Sequence, residues 1–594
     1  MPAALLAVAA LVLTAGCASV PDAGPVVAGA EVRPRAGEAP RSIPDNPRPG
    51  ADPREIVQGF LRATDALDRF EVAGRYLTAE RARRWNPGDR IVHAPGEDIA
   101  VTEDGGGTVV TVTADADADI TEDGRYTDRP EVERAVVQQF RLEREAGGEW
   151  RIADLPDEIL VSRTAAEFTL QPYSAYFPAD EPREGEPVPL VPDVRWLPAR
   201  SESATRMVDI LIEGPSAPLY ESVVRVGQGL RRTDRGVSVA DGVATVDLAD
   251  SYLADGFPTS PAGRLFAAQL QRSLRELPGI RDVRITVEGR PANQPEAPPA
   301  TTEPLVAGRP YVLVRATDED GAEPAGDAAA SSYVGRPGEG GGTAVTPVPG
   351  LDVFAARIDR GLAVTPDGRT FAGVAADGAT LVVQAGGEEP VEIPTGGSGL
   401  TTPSFDSQGW LWTASRTRPP GAGGEGPEGV TVLAVSPGGE VQAVPVPWGG
   451  SGPADVVALR VSREGARILV VSESPDGQVA VEVRGIDRGP SGRPGGLSTT
   501  GIRVLPGSVT EALDATWVTS TTVAVLGNGP GGTRIALSLV GGPSREIDAP
   551  PDAVTVASGQ TEQRLVVGSG DGAVYQRLGT SWGPPSGPAW SPAF

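Results

Sequence analysis

The chain contains no lysine. All 52 of its cationic side chains are arginine, set against 79 acids, and the formal net charge is −27. A surface this acidic repels phosphate backbones and anionic headgroups, which excludes nucleic acid and anionic membrane surfaces as partners. Histidine occurs once, as His93. A histidine-centred triad would have to be built on that residue, and no serine stands in a nucleophile-elbow context. Cysteine also occurs once, as Cys17. A lone cysteine forms no internal disulfide, and with a single histidine it offers no zinc cluster. Aromatic residues make up only 5% of the chain, so its cores are lean. Beyond residue 13 no apolar run approaches the ~18 residues that mark a membrane-spanning helix.

What the chain does have in excess is glycine (76) and proline (58). Together they favour many turns and short strands, hence β-rich architecture. At 594 residues the chain is too long for one domain. Residues 3–13 form an apolar run of about 11 residues, too short for a bilayer core that needs about 20. Small residues follow (Thr14, Ala15, Gly16), and then Cys17. A short apolar segment with a small-residue processing site is an export signal that is removed. The cysteine stands where a thioether-linked lipid would be attached, and we assign Cys17 as the lipid-attachment residue of a bacterial lipoprotein. Thr14 occupies the place where a lipobox usually has leucine, and no arginine precedes the apolar run.

The expected organisation runs outward from that anchor. Residues 1–16 are a lipoprotein signal peptide. Residues 17–50, dense in Pro, Gly, Arg and Glu, are a tether that buries too little apolar surface to fold. Residues 51–170 read as an α+β domain. Asp52-Pro53 caps a helix whose apolar face is Ile56, Val57, Phe60, Leu61 and Thr64. A second helical stretch covers roughly 70–85, and strands follow at 108–113, 136–142 and 150–156. Helices first and an antiparallel sheet after, ending in Trp150-Arg-Ile-Ala-Asp-Leu-Pro, resemble the NTF2-like cone fold.

Residues 171–290 read as a second α+β domain, with helices over 204–213 and 261–277 and a closing strand at Val283-Arg-Ile-Thr-Val. The strings LIEGPSAPL, GVATVDLADSY and LFAAQLQRSLRELPGIRDVRITVEG resemble the GerMN domain of sporulation and germination lipoproteins. Residues 291–350 are expected to be a linker with one strand. Residues 351–594 repeat a unit of short strand, turn and apolar strand, seen in AVTPDGRTFAGVA, SFDSQGWLWTA, RVSREGARILVVS, TWVTSTTVAVLG and VASGQTEQRLVVGSGDGAVYQ. Successive turns are roughly 40 to 56 residues apart, the range of propeller blades. The fold expected is therefore multidomain: two α+β domains, NTF2-like then GerMN-like, followed by an all-β propeller of about five or six blades.

Candidate chemistry is sparse. His93 reads as structural or exposed. Asp115, Asp117 and Asp119 suggest calcium, but an EF-hand loop needs glycine where Ile120 stands, and the run alternates as a solvated strand does. The Gly-rich strings do not lie between a strand and a helix as a phosphate loop must. The sequence therefore assigns no catalytic residue, no metal ligand and no cofactor site, and it describes a non-enzyme.

The order of parts, from a mature start CASVPDAGPV through the NTF2-like and GerMN-like units to a propeller, resembles the LpqB family of actinobacterial lipoproteins. That resemblance implies a protein anchored through Cys17 to the extracytoplasmic face of the cell membrane. It also implies a partner, the extracytoplasmic domain of an MtrB-like sensor histidine kinase. The kinase belongs to a two-component system affecting cell-wall and division functions, and the lipoprotein modulates it. The alternative reading is an envelope protein whose propeller binds or hydrolyses glycan, with peptidoglycan as its partner.

Overall fold

A computed structural model describes residues 44–594 apart from 67–69, 105–106, 131–132, 180–185, 199–201, 293–295, 307, 316–331, 339–341, 417–428, 450–451, 490 and 505–506. The chain divides into two units, Met1–Arg41 and Ser42–Phe594, and all described elements lie in the second.

The first domain starts at the helix Pro53–Asp65. Asp52 accepts the Glu55 backbone N–H at 2.9 Å, and the Glu55 carboxylate accepts the Asp52 N–H at 3.1 Å, a reciprocal capping box. Its face of Ile56, Val57, Phe60 and Leu61 is buried against a seven-stranded sheet centred on the long strand Gly107–Ile120. The single helix expected over 70–85 is two short ones, Glu71–Gly74 and Ala79–Arg84. Leu77 bridges to Ile152 in the sheet, and Thr78 then caps the second helix by accepting the Arg81 N–H. A β contact and a cap thus outcompete continuous helix. Residues at the end of the expected tether pack here: Tyr76 Oη donates to the Asp45 carbonyl at 2.7 Å, and Arg75 donates to Asn46 at 2.6 Å.

The second domain has two sheets. One pairs Val243–Leu248 in parallel with Asp282–Val287, and the helix Pro261–Leu274 makes the crossover between them. The other is a long antiparallel hairpin, Leu170–Pro178 with Val188–Pro198. One core joins Met207, Ile210 and Leu211 of the helix Glu202–Glu213 with Leu265, Phe266, Leu270 and Leu274 of the crossover helix.

From residue 311 onward the described residues form six sheets of four or more antiparallel strands. Residues 311–347, expected to be a linker with one strand, supply three strands of the first sheet. Its fourth is Trp590–Ala593, the last strand of the chain, antiparallel to Tyr311–Val314. The first strands of the other five sheets follow in order, each beside the next, and the last adjoins Trp590–Ala593. The ring therefore closes by pairing the chain's end with its beginning, which leaves no long free edge on the first sheet. The repeated turns are built by short side chains. In Ser569-Gly-Asp-Gly, for example, the Ser569 hydroxyl accepts the Ala573 N–H at 3.0 Å and donates to Asp571, while Gly572 takes φ +82°.

Candidate functional site

Cys17, the one site residue assigned from sequence, lies outside the described residues. His93 is buried on the strand Arg90–His93, with Nδ1 2.8 Å from the Ala94 carbonyl oxygen. Asp115, Asp117 and Asp119 lie on the strand Gly107–Ile120. Asp119 accepts two hydrogen bonds from Arg129, both at 2.8 Å, and Asp117 pairs with Arg163 at 2.5 Å. Asp117 and Asp119 thus form separate ion pairs along a strand. Among the described residues no group of three or more His, Cys, Asp or Glu could hold a metal ion. No described helix is long and apolar enough to cross a membrane.

Two places do gather buried charge. One is the channel of the propeller, a cavity of about 130 Å³ lined from every sheet, by Ala363, Ser404, Arg460, Asp514, Val556 and Pro592 among others. Asp514 is buried and receives Arg460 Nη2 at 2.7 Å, the Ala515 N–H at 2.8 Å and the Val556 N–H at 2.9 Å. Burial pushes its carboxyl above the ordinary value, against the pull of Arg460 and the two amides. Asp406 is equally committed. Its Oδ1 accepts the Gln408 and Trp410 N–H groups at 2.8 Å, and its Oδ2 accepts Trp412 Nε1 at 2.9 Å and Arg488 at 2.5 Å. Both of these carboxylates are thus held by fixed donors, an arrangement that specifies a packed ring.

The other place is the junction of the three domains, at residues 193–196. Arg195 is buried between Asp193 and Asp123, at 2.5 Å from each. Asp193 also accepts the Ser216 N–H at 2.7 Å. Burial raises the Asp123 carboxyl, but a hydrogen bond from Thr121 and the charges of Arg195 and Arg125 outweigh it and hold the group below its ordinary value. Trp196 reaches all three domains. Its backbone N–H donates to the Gly124 carbonyl of the first domain at 2.7 Å, its ring packs on Tyr126 at 5.5 Å, and its Nε1 donates to the Gly541 carbonyl of the propeller at 2.8 Å. Gly124 is required here: at φ +84° a Cβ would stand 2.8 Å from the Trp196 carbonyl oxygen. A second close approach joins the second domain to the propeller at Gly485, where a Cβ would meet the Pro218 carbonyl oxygen at 2.2 Å.

Sequence reasoning passed over these residues. The signal available was charge inside apolar first strands, Arg460 after Leu459 and Asp514 after Leu513, and the string Asp-Val-Arg-Trp at 193–196 in an otherwise apolar strand. Neither pattern reveals a partner dozens of residues away.

Three family models match in order along the chain. They are described as the Lipoprotein LpqB N-terminal domain at residues 46–167, Sporulation and spore germination at 174–293, and the Lipoprotein LpqB beta-propeller domain at 339–594. Lipoprotein LpqB of Streptomyces coelicolor is 28% identical over 92% of this chain and 89% of its own length. That of Thermobifida fusca is 27% identical over 95% of each. Among solved structures, the tandem GerMN domains of GerM from Bacillus subtilis are similar at 18% identity and a TM-score of 0.18. They cover 23% of this chain and 48% of that one, a likeness too slight to carry an argument. With a mostly-strand fold, a GerMN-type domain, a C-terminal β-propeller and relatives matched end to end, the chain belongs to the LpqB family of actinobacterial lipoproteins.

Proposed function

We propose that this lipoprotein acts by binding. It is held through lipid on Cys17 at the extracytoplasmic face of the cell membrane. There it contacts the extracytoplasmic domain of an MtrB-like sensor histidine kinase and modulates signalling that affects cell-wall and division functions. We read its first domain as NTF2-like and its propeller as six-bladed. The observation that carries the choice of binding over catalysis is the internal pairing of the channel. Asp406 and Asp514 are each committed to an arginine and to backbone amides. A hydrolytic site needs an acid or base able to reach substrate. Family membership supports the kinase as partner through the resemblance on which that expectation rests.

The test is retention of the Ser42–Phe594 unit by the immobilised sensor domain. Retention at about 50 µM, an affinity suited to a transient signalling interface, is expected. No retention at that concentration, together with release of sugar from purified cell wall, would replace this reading with the glycan-hydrolysing one. Co-sedimentation with wall but no release would add peptidoglycan as a second partner.

A further inference from the structure

The segment between the second domain and the propeller crosses one mouth of the propeller channel. It leaves the strand Ala300–Thr301 and enters the ring at Tyr311–Val314. Between them, Glu303 lies against the mouth: its Oε1 accepts the Ser520 backbone N–H, and its Oε2 is 3.7 Å from Arg463 Nη1. Gln560 Nε2 donates to the Pro304 carbonyl at 2.5 Å, and Arg564 donates to the Gly308 carbonyl. Val306 lines the channel.

Arg463 is an unusual cation. Its side chain is only 12% exposed. It donates to three neutral carbonyls, those of Trp517 at 3.0 Å, Val518 at 3.3 Å and Ser558 at 3.0 Å. The nearby Glu464 is engaged elsewhere, with Arg467 Nε at 2.6 Å. Glu303 is the carboxylate within ion-pair distance of Arg463, and it makes an imperfect fit, because its buried Oε2 has no hydrogen-bond partner. Burial holds both Arg463 and Arg564 below the ordinary arginine value, for Arg463 against the pull of Glu303 and Glu464. The segment is held by polar bonds and contributes little apolar burial, since Leu305 is 81% exposed. A contact of this kind opens at low cost.

We propose that this mouth of the propeller is a recognition site for a carboxylate-bearing peptide segment of a partner protein, and that the chain's own Glu303-Pro304 occupies it until such a segment displaces it. The partner segment places a Glu or Asp carboxylate between the Ser520 N–H and Arg463 and offers backbone carbonyls to Gln560 and Arg564. On a chain of net charge −27 the mouth presents Arg463 and Arg564, complementary to an acidic segment. The proposal stands whether or not the partner is a sensor kinase.

The probe is a fluorescent peptide with the chain's own sequence over residues 301–308, Thr-Thr-Glu-Pro-Leu-Val-Ala-Gly. It is titrated against the full chain in detergent. The tethered copy competes at an effective concentration of about a millimolar, so wild type should bind the probe weakly. Glu303→Ala should bind it at least about tenfold more tightly, the worth of one charge-assisted hydrogen bond. A probe with Gln in place of Glu should bind neither protein. Hydrogen exchange at the Ser520 amide should accelerate in Glu303→Ala and slow again when the acidic probe is added. Equal binding to wild type and Glu303→Ala, equal binding of the Glu and Gln probes, or a Ser520 amide unmoved by the probe would each overturn the proposal.

Discussion

Arg195 shows how a single side chain can hold two domains in place. Its guanidinium is almost fully buried and is shared by Asp193 of its own domain and Asp123 of the neighbouring one. Removing one member of a buried ion-paired set leaves the others charged and unpaired, at a cost of about 3–5 kcal/mol. Arg195→Ala is therefore expected to destabilise the Ser42–Phe594 unit by about that amount in urea unfolding. Asp123 gives the junction a pH dependence of definite sign. Its folded carboxyl lies below the ordinary value. The stability it contributes is thus complete above about pH 4 and is lost as the pH falls through the depressed folded value. Unfolding of wild type and Asp123→Asn, compared at pH 6 and at pH 3, should show a gap that narrows at the lower pH. These residues were not legible in the sequence. Arg195 is one arginine among 52, and its partners lie 2 and 72 positions away. Cys17, outside the described residues, stands out in the sequence because it is the single cysteine and its position alone suggests a chemistry.

Elements governed by neighbouring residues were readable, and those governed by distant pairing were not. The helix Pro53–Asp65 follows from Asp52, Pro53, Glu55 and an apolar face with helical spacing, all within one window. The crossover helix Pro261–Leu274 follows likewise from Ser260, which accepts the Gly263 N–H at 3.0 Å, and from Leu265, Phe266 and Leu270. The break at Leu77 was hidden because its cause is a bridge to Ile152. The first sheet of the ring was hidden for the same reason: Tyr311–Val314 reads as one isolated strand until Trp590–Ala593 returns to pair with it. That closure carries its own consequence. Deleting residues 589–594 removes the strand that joins the first and last sheets and exposes Leu313 and Val566 of the adjoining cores. We expect the truncated propeller to lose its cooperative thermal transition and to aggregate through the two edges it exposes, as measured by calorimetry and light scattering.

At the scale of the molecule, Trp196, Gly124 and Gly485 fasten three domains into one unit. A unit of this kind displays fixed surfaces, and it can act on a membrane partner only if it is held near the membrane. That requirement returns to Cys17, the residue that would carry the lipid. The most direct test is membrane fractionation of cells expressing the full chain with Cys17→Ser. The account predicts that the substituted protein leaves the membrane fraction while keeping the wild-type thermal transition of its folded unit. Cys17→Ser protein that remains wholly in the membrane fraction would contradict it.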